Sequence, residues 1–215
     1  MNVEQRYRYA YKPIVFVAAL TPALLMLGGA FGIGPRHLGA DPERELLHSC
    51  GLKALQLLLI TLSVTPLRQL TGNPHLLRLR RMLGLFAFFY AVLHFTIYAW
   101  LDQGLDVKAI GADIVKRPYI TIGMLALLLL IPLAVTSTNG WMRRLRKRWQ
   151  TLHRLIYPIA ILGVWHFYWQ VKKDIREPLL YAGILAVLLG YRVVRGPLRR
   201  ALTSKSVSAT APGRT

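Results

Sequence analysis

The sequence predicts an all-α fold, a polytopic membrane protein built as a six-helix transmembrane bundle, and three observations carry that expectation. Apolar stretches approaching the length of a membrane crossing recur along the 215 residues. Hydrophobic residues make up 54% of the chain and charged ones 17%, with a mean hydropathy of +0.38, too apolar for an ordinary soluble domain. The charges fall almost entirely in short links between the apolar runs. A formal net charge of +19 would by itself suit nucleic acid, but charge confined to links reads as membrane topology and argues for lipid, not nucleic acid, as the partner.

Helices are expected at roughly 13–33, 47–66, 80–101, 118–136, 150–170 and 178–194, each near the length that crosses a hydrocarbon core of about 30 Å. The first run is long and shows no small-residue cleavage site, so it reads as a span rather than a signal peptide. The second carries Lys53 near one end, where the side chain can snorkel to the interface. The third holds His94 deep within it, and the fifth holds His153 and His166. Pro22 and Pro132 are expected to kink their spans. Gly28, Gly29, Gly84 and Gly123 are expected to allow close helix contact. Residues 1–12 form a terminal segment, 13–195 the transmembrane domain, and 196–215 a tail that lacks periodicity from about Thr203 and reads as disordered.

The links alternate in composition. Arg6, Arg8 and Lys12, then Arg68, Arg78, Arg80 and Arg81, then the run Arg143, Arg144, Arg146, Lys147 and Arg148, and finally the basic tail from Arg192 all fall on one side. The other side carries fewer cations and eight of the nine acids. The positive-inside rule therefore places both termini in the cytoplasm. The run Arg143–Arg148 also suits contact with anionic lipid. Trp100, Trp165 and Trp169 fit an outer aromatic belt, and Trp141 and Trp149 an inner one.

Ionisable residues inside a span are costly and usually functional, and imidazole is a common protein ligand of heme iron. The alternation of spans puts His94 and His166 at similar depth on different helices, near the outer side, where two imidazoles can ligate one iron from opposite faces. His153 lies near the cytoplasmic end, about 20 Å from His166 along the axis. Thirteen residues at about 100° each miss a whole turn by roughly 140°, and Pro158 between the two can supply a distortion. The position thirteen residues before His94 is Arg81, with Arg80 beside it. A guanidinium stays protonated and is a poor iron ligand, but it suits a heme propionate or a phosphate. An inner heme through His153 would need another ligand, and the inner site can instead hold a flavin phosphate or a quinone. Arg154 can pair with a propionate or snorkel. His48 reads as structural, and His37 and His75 as solvated.

The single cysteine, Cys50, excludes an intrachain disulfide and a Cys-ligated iron–sulfur cluster. There is no CxxCH motif, so any heme is non-covalent and b-type. No Gly-rich strand-to-helix turn provides a nicotinamide domain. No Ser/His/Asp or zinc motif argues for hydrolysis, and no acidic residue lies inside a span to couple ion transport.

The stretches LGADPERELLHSCGLKAL, ITLSVTPLRQL, LRRMLGLFAFFYAVLHFTIYAW, KRPYITIGMLALLLLIPLAVTS and WQTLHRLIYPIAILGVWHFYWQVKK cover nearly all of residues 38–195. Together they resemble the MsrQ (formerly YedZ) family, within the ferric-reductase-like transmembrane superfamily. The resemblance implies a heme-binding inner-membrane subunit that binds heme b and FMN. It implies electron transfer from the quinone pool, or a cytoplasmic flavin reductase, to a periplasmic molybdopterin reductase of the MsrP type, which repairs protein methionine sulfoxide. The substrate-reducing site would then sit on the partner. It also implies ligand roles for His94, His153 and His166, with Arg81 standing where the broader superfamily has a fourth histidine. The competing readings are a self-contained ferric or quinone reductase and a transporter with structural histidines.

Overall fold

Lipid offers backbone groups no partner, so apolar runs of this length must satisfy their own hydrogen bonds as helices. The computed structural model describes residues 3–33, 38–171 and 174–209, with side chains from Glu4 to Val194, and contains no strand among them. Its helices are α1 (Glu4–Ala30), α2 (Pro42–Thr71), α3 (Leu77–Ile97), α4 (Val107–Lys116), α5 (Pro118–Val135), α6 (Asn139–Leu145), α7 (Lys147–Leu152), α8 (Ile156–Gln170) and α9 (Arg176–Ala209). Among the described residues, five stretches are long and apolar enough to cross a membrane: α1, α2, the segment Pro74–Asp102 around α3, α5, and Arg176–Val194 of α9.

The span expected at 150–170 is broken. α7 stops at Leu152, a 3-10 turn covers His153–Leu155, and α8 restarts at Ile156. Pro158 accounts for this: it has no N–H to donate, and its ring crowds the carbonyl of Arg154. The 15 residues of α8 rise about 22 Å, less than a hydrocarbon core of about 30 Å. Six expected spans thus resolve into five spanning helices and one shorter, broken one. The link between α3 and α5 contains α4, started by Asp106, whose carboxylate accepts from the amides of Lys108 and Ala109 at 2.8 and 3.1 Å. α9 runs past Thr203 to Ala209. Of the residues singled out in the sequence, His37 lies outside the described residues, as do residues 210–215 of the tail.

Local chemistry sets the helix ends. Asp41 caps α2 by accepting from the Arg44 amide at 3.1 Å, and Pro42 occupies the first helical position. α2 stops at Gly72, whose φ of 68° is left-handed and suits glycine. Gly84 of α3 faces Thr61 of α2, as a contact glycine should, whereas Gly28 makes room for the Ile33 carbonyl in the turn that ends α1.

α2 packs along α3 and α5 along α8, and the two pairs close on each other through α3–α5 and α2–α8 contacts. α1 lies against α3, and α9 against α8 and α2. The shared core includes Leu58, Leu62, Phe86, Tyr90, Ile159 and Ala160. Lys53 donates to Gln56 at 2.8 Å, and Gln56 donates to Tyr181 of α9 at 2.7 Å.

Two further polar contacts tie elements together. The fully buried Tyr90 inserts its hydroxyl beside Pro22, donating to the Ala19 carbonyl (2.8 Å) and accepting from the Ala23 amide (3.0 Å). A side chain entering the helix ladder in this way bends the helix and fixes its neighbour. At the α4 end, the buried Asp113 accepts from Tyr98 (3.0 Å) and from Arg117 (2.8 Å). Tyr90→Phe should lower stability by about 1–2 kcal/mol, read as a lower thermal-unfolding midpoint in detergent. An unchanged midpoint would mean that Ala19 and Ala23 close their own bond at no cost. Asp113→Ala should cost about 1–3 kcal/mol because it strands the Tyr98 hydroxyl. Arg117→Ala should cost less than about 1 kcal/mol, since that guanidinium is half exposed.

Candidate functional site

His94 comes from the last turn of α3 and His166 from α8. The fold brings them together: their ring centroids are 6.1 Å apart and their planes lie at 82°. Each ring is fixed from behind by a backbone carbonyl. Nδ1 of His94 lies 2.8 Å from the Leu47 carbonyl of α2, and Nδ1 of His166 lies 2.7 Å from the Tyr119 carbonyl of α5. A carbonyl only accepts, so both Nδ1 atoms carry the proton. In a neutral imidazole that leaves Nε2 with a lone pair. Neither Nε2 has a protein partner among the described residues.

Two imidazoles on opposite sides of one metal, each bond about 2.0 Å long and the ring radius added, have centroids about 6 Å apart. The observed separation fits that arrangement. Among the described residues no group of three His, Cys, Asp or Glu side chains could hold an ion, and a protein-only zinc site needs four ligands or three. The pair therefore suits a metal that brings its own equatorial donors. Heme does, leaving two axial positions for protein ligands.

The other predicted residues lie elsewhere. His153 sits in the 3-10 turn, stacked on Trp149 at 3.9 Å. Thr136 donates to the Pro132 carbonyl at 2.6 Å and lies 3.0 Å from Nε2 of His153. A hydroxyl has one proton, so His153 is the donor and its Nε2 lone pair is not available. Among the described residues no second histidine approaches it. The ligand role expected of His153 thus has no partner here. Arg80 is half-buried. Arg81 is exposed and donates to Asn139 at 2.7 Å, and Arg154 is exposed. Arg192 caps carbonyls of Leu188 and Leu62 and covers the Tyr157 ring. None of these arginines joins the His94–His166 pair.

Trp149 donates its Nε1–H to the Thr136 carbonyl at 2.9 Å, and its ring covers His153. His75 is not simply solvated but stacks on Tyr7 at 5.9 Å. His48 tilts against Phe167, in keeping with a structural role. The acceptors Leu47 and Tyr119, and the Thr136–Trp149 pair around His153, were not expected from sequence. Their roles lie in main-chain carbonyls and in a contact across a helix break.

Residues 50–164 match the family model described as ferric reductase like transmembrane component. A protein of Xanthomonas campestris pv. campestris (strain 8004) is 57% identical over 200 residues, covering 91% of each chain. One of Xanthomonas axonopodis pv. citri (strain 306) is 56% identical over the same coverage. One of Bordetella pertussis (strain Tohama I) is 49% identical over 193 residues, covering 88% of this chain and 91% of its own. All three carry the name protein-methionine-sulfoxide reductase heme-binding subunit MsrQ. The chain belongs to the MsrQ family. That family and the five apolar helices make it a polytopic membrane protein. No solved structure matches the chain. The family-model match takes in His94 and His153 and stops two residues before His166.

Proposed function

We propose that this chain is a b-type cytochrome, the transmembrane electron-transfer subunit of a bacterial periplasmic protein-methionine-sulfoxide reductase system. The observation that carries the reading is the His94–His166 pair, with both Nδ1 atoms committed to carbonyls, both Nε2 atoms free, and a separation that fits one iron. The name shared by the relatives, a heme-binding subunit, supports it. Bound heme b supplies one-electron ferric–ferrous cycling. The protein's part is to hold the iron through His94 and His166, fix both rings through Leu47 and Tyr119, and keep water out with the apolar core.

The chain is read as an inner-membrane protein with both termini cytoplasmic, on the strength of its basic links. Electrons come from the quinone pool or a cytoplasmic flavin reductase. They leave to an MsrP-type molybdopterin reductase in the periplasm, which carries the substrate-reducing site. The basic end around His153, Arg80, Arg81 and Arg154 is the proposed cofactor-binding entrance. Among the described residues no carboxylate pairs with Arg80, so its guanidinium can take the phosphate of FMN.

The deciding experiment is a heme titration with reduced-minus-oxidised spectra. Wild-type protein should show a b-type spectrum, His94→Ala and His166→Ala should each lose most of it, and His153→Ala should keep it. A colourless wild type, or full heme content in both alanine variants, would overturn the assignment. Reduction of ferric iron by the purified protein without any partner would favour a self-contained reductase.

A further inference from the structure

His94 and His166 are held not only alike but at the same chain spacing. Each follows its carbonyl acceptor by 47 residues. Four residues beyond each acceptor stands a glycine, Gly51 after Leu47 and Gly123 after Tyr119. A Cβ on Gly51 would lie 3.0 Å from Nδ1 and Cε1 of His94, and a Cβ on Gly123 would lie 2.8 Å from the same atoms of His166. One constant shift along the chain carries Leu47, Gly51 and His94 onto Tyr119, Gly123 and His166. The same shift carries Arg81 onto His153.

Helix geometry explains the pattern. The carbonyl of residue i already accepts from the amide of residue i+4 and keeps a second lone pair. Each Cα–Cβ bond tilts toward the helix N-terminus, so the side chain at i+4 lies over that carbonyl. A glycine there uncovers it. Other core glycines lack this contact: a Cβ on Gly84 would meet Thr61 at 3.7 Å and one on Gly163 would meet Leu55 at 3.6 Å, both ordinary packing distances.

We propose that Gly51 and Gly123 are positioning residues, each opening a helix carbonyl as a receptor for one imidazole, so that α2–α3 and α5–α8 are two copies of one ligand-presenting unit. The inference rests on the reading that His94 and His166 ligate heme. The receptor carbonyl fixes the Nδ1–H tautomer and makes the imidazole a stronger donor. A stronger donor stabilises ferric iron and lowers the reduction potential.

The test compares Gly51→Ala and Gly123→Ala with the control variants Gly84→Ala and Gly163→Ala, each as the full chain purified in detergent. Heme affinity, midpoint potential and helix content by circular dichroism are measured. Gly123→Ala should lose about 10- to 100-fold in heme affinity, the usual effect of removing a ligand's outer partner. Gly51→Ala, with its slightly longer contact, should lose less, and the heme retained should have a raised potential. Both controls should match wild type. Alanine favours helix over glycine by about 1 kcal/mol, so helix content should hold. Wild-type affinity and potential in Gly123→Ala, or equal losses in the controls, would overturn the inference. Should Gly123→Ala unfold, Gly51→Ala decides: an unshifted potential overturns the inference. A wild type without heme would instead overturn the underlying assignment, and this inference with it.

Discussion

A helix in lipid has used all its interior amides as donors, yet each of its carbonyls keeps a lone pair. The site depends on that surplus. Two carbonyls, of Leu47 and Tyr119, accept a second hydrogen bond from His94 and His166. The bonds hold only if α2 stays in register with α3 and α5 with α8, because a slip of one residue turns a side chain by about 100°. The larger helix contacts of the fold run within these two pairs. The packing that stabilises the bundle is therefore also what aims the imidazoles, and the cross-contacts between pairs set the gap between them.

The end of the bundle around His153 is built on the opposite principle. There the helix is interrupted, and side chains do what the ladder does elsewhere. Thr136 and Trp149 close over the break, and His153 is a donor within that closure rather than a free base. The Thr136 carbonyl, at the C-terminal end of α5, has no intrahelical amide and needs such a partner when water is scarce. Beside the break the Arg192 guanidinium lies over the Tyr157 ring at 5.5 Å.

Much of this was legible in the sequence because lipid makes the rules strict. Spans follow from apolar length, and the matching depth of His94 and His166 follows from alternating direction. What escaped was of three kinds. The carbonyl receptors are main-chain atoms, and no side-chain pattern marks them except a glycine four residues on, which, as at Gly123, reads equally as a packing site. The break at His153 was visible only as Pro158, whose cost depends on what surrounds it. The partners that Lys53 and Trp149 find, Gln56 and the Thr136 carbonyl, are not marked by residue type.

The repeated spacing bears on how many redox centres the chain can hold. If the two helix pairs are copies, each offers an outer and an inner position on its second helix. The outer positions are His94 and His166, and both are imidazoles with a free Nε2. The inner positions are Arg81 and His153. Arg81 cannot deprotonate to bind iron, and it points to Asn139; His153 spends its Nε2 on Thr136. The symmetry that builds one two-histidine site is thus broken at the other end by one substitution and one hydrogen bond. On the proposed reading, a single bis-imidazole centre near the outer face leaves about 20 Å of the bundle, the distance from His153 to His166, without iron. An electron entering at the basic end then needs a carrier bound there, and the cations at that end favour one that is anionic or becomes so on reduction, as a flavin phosphate or a quinone does.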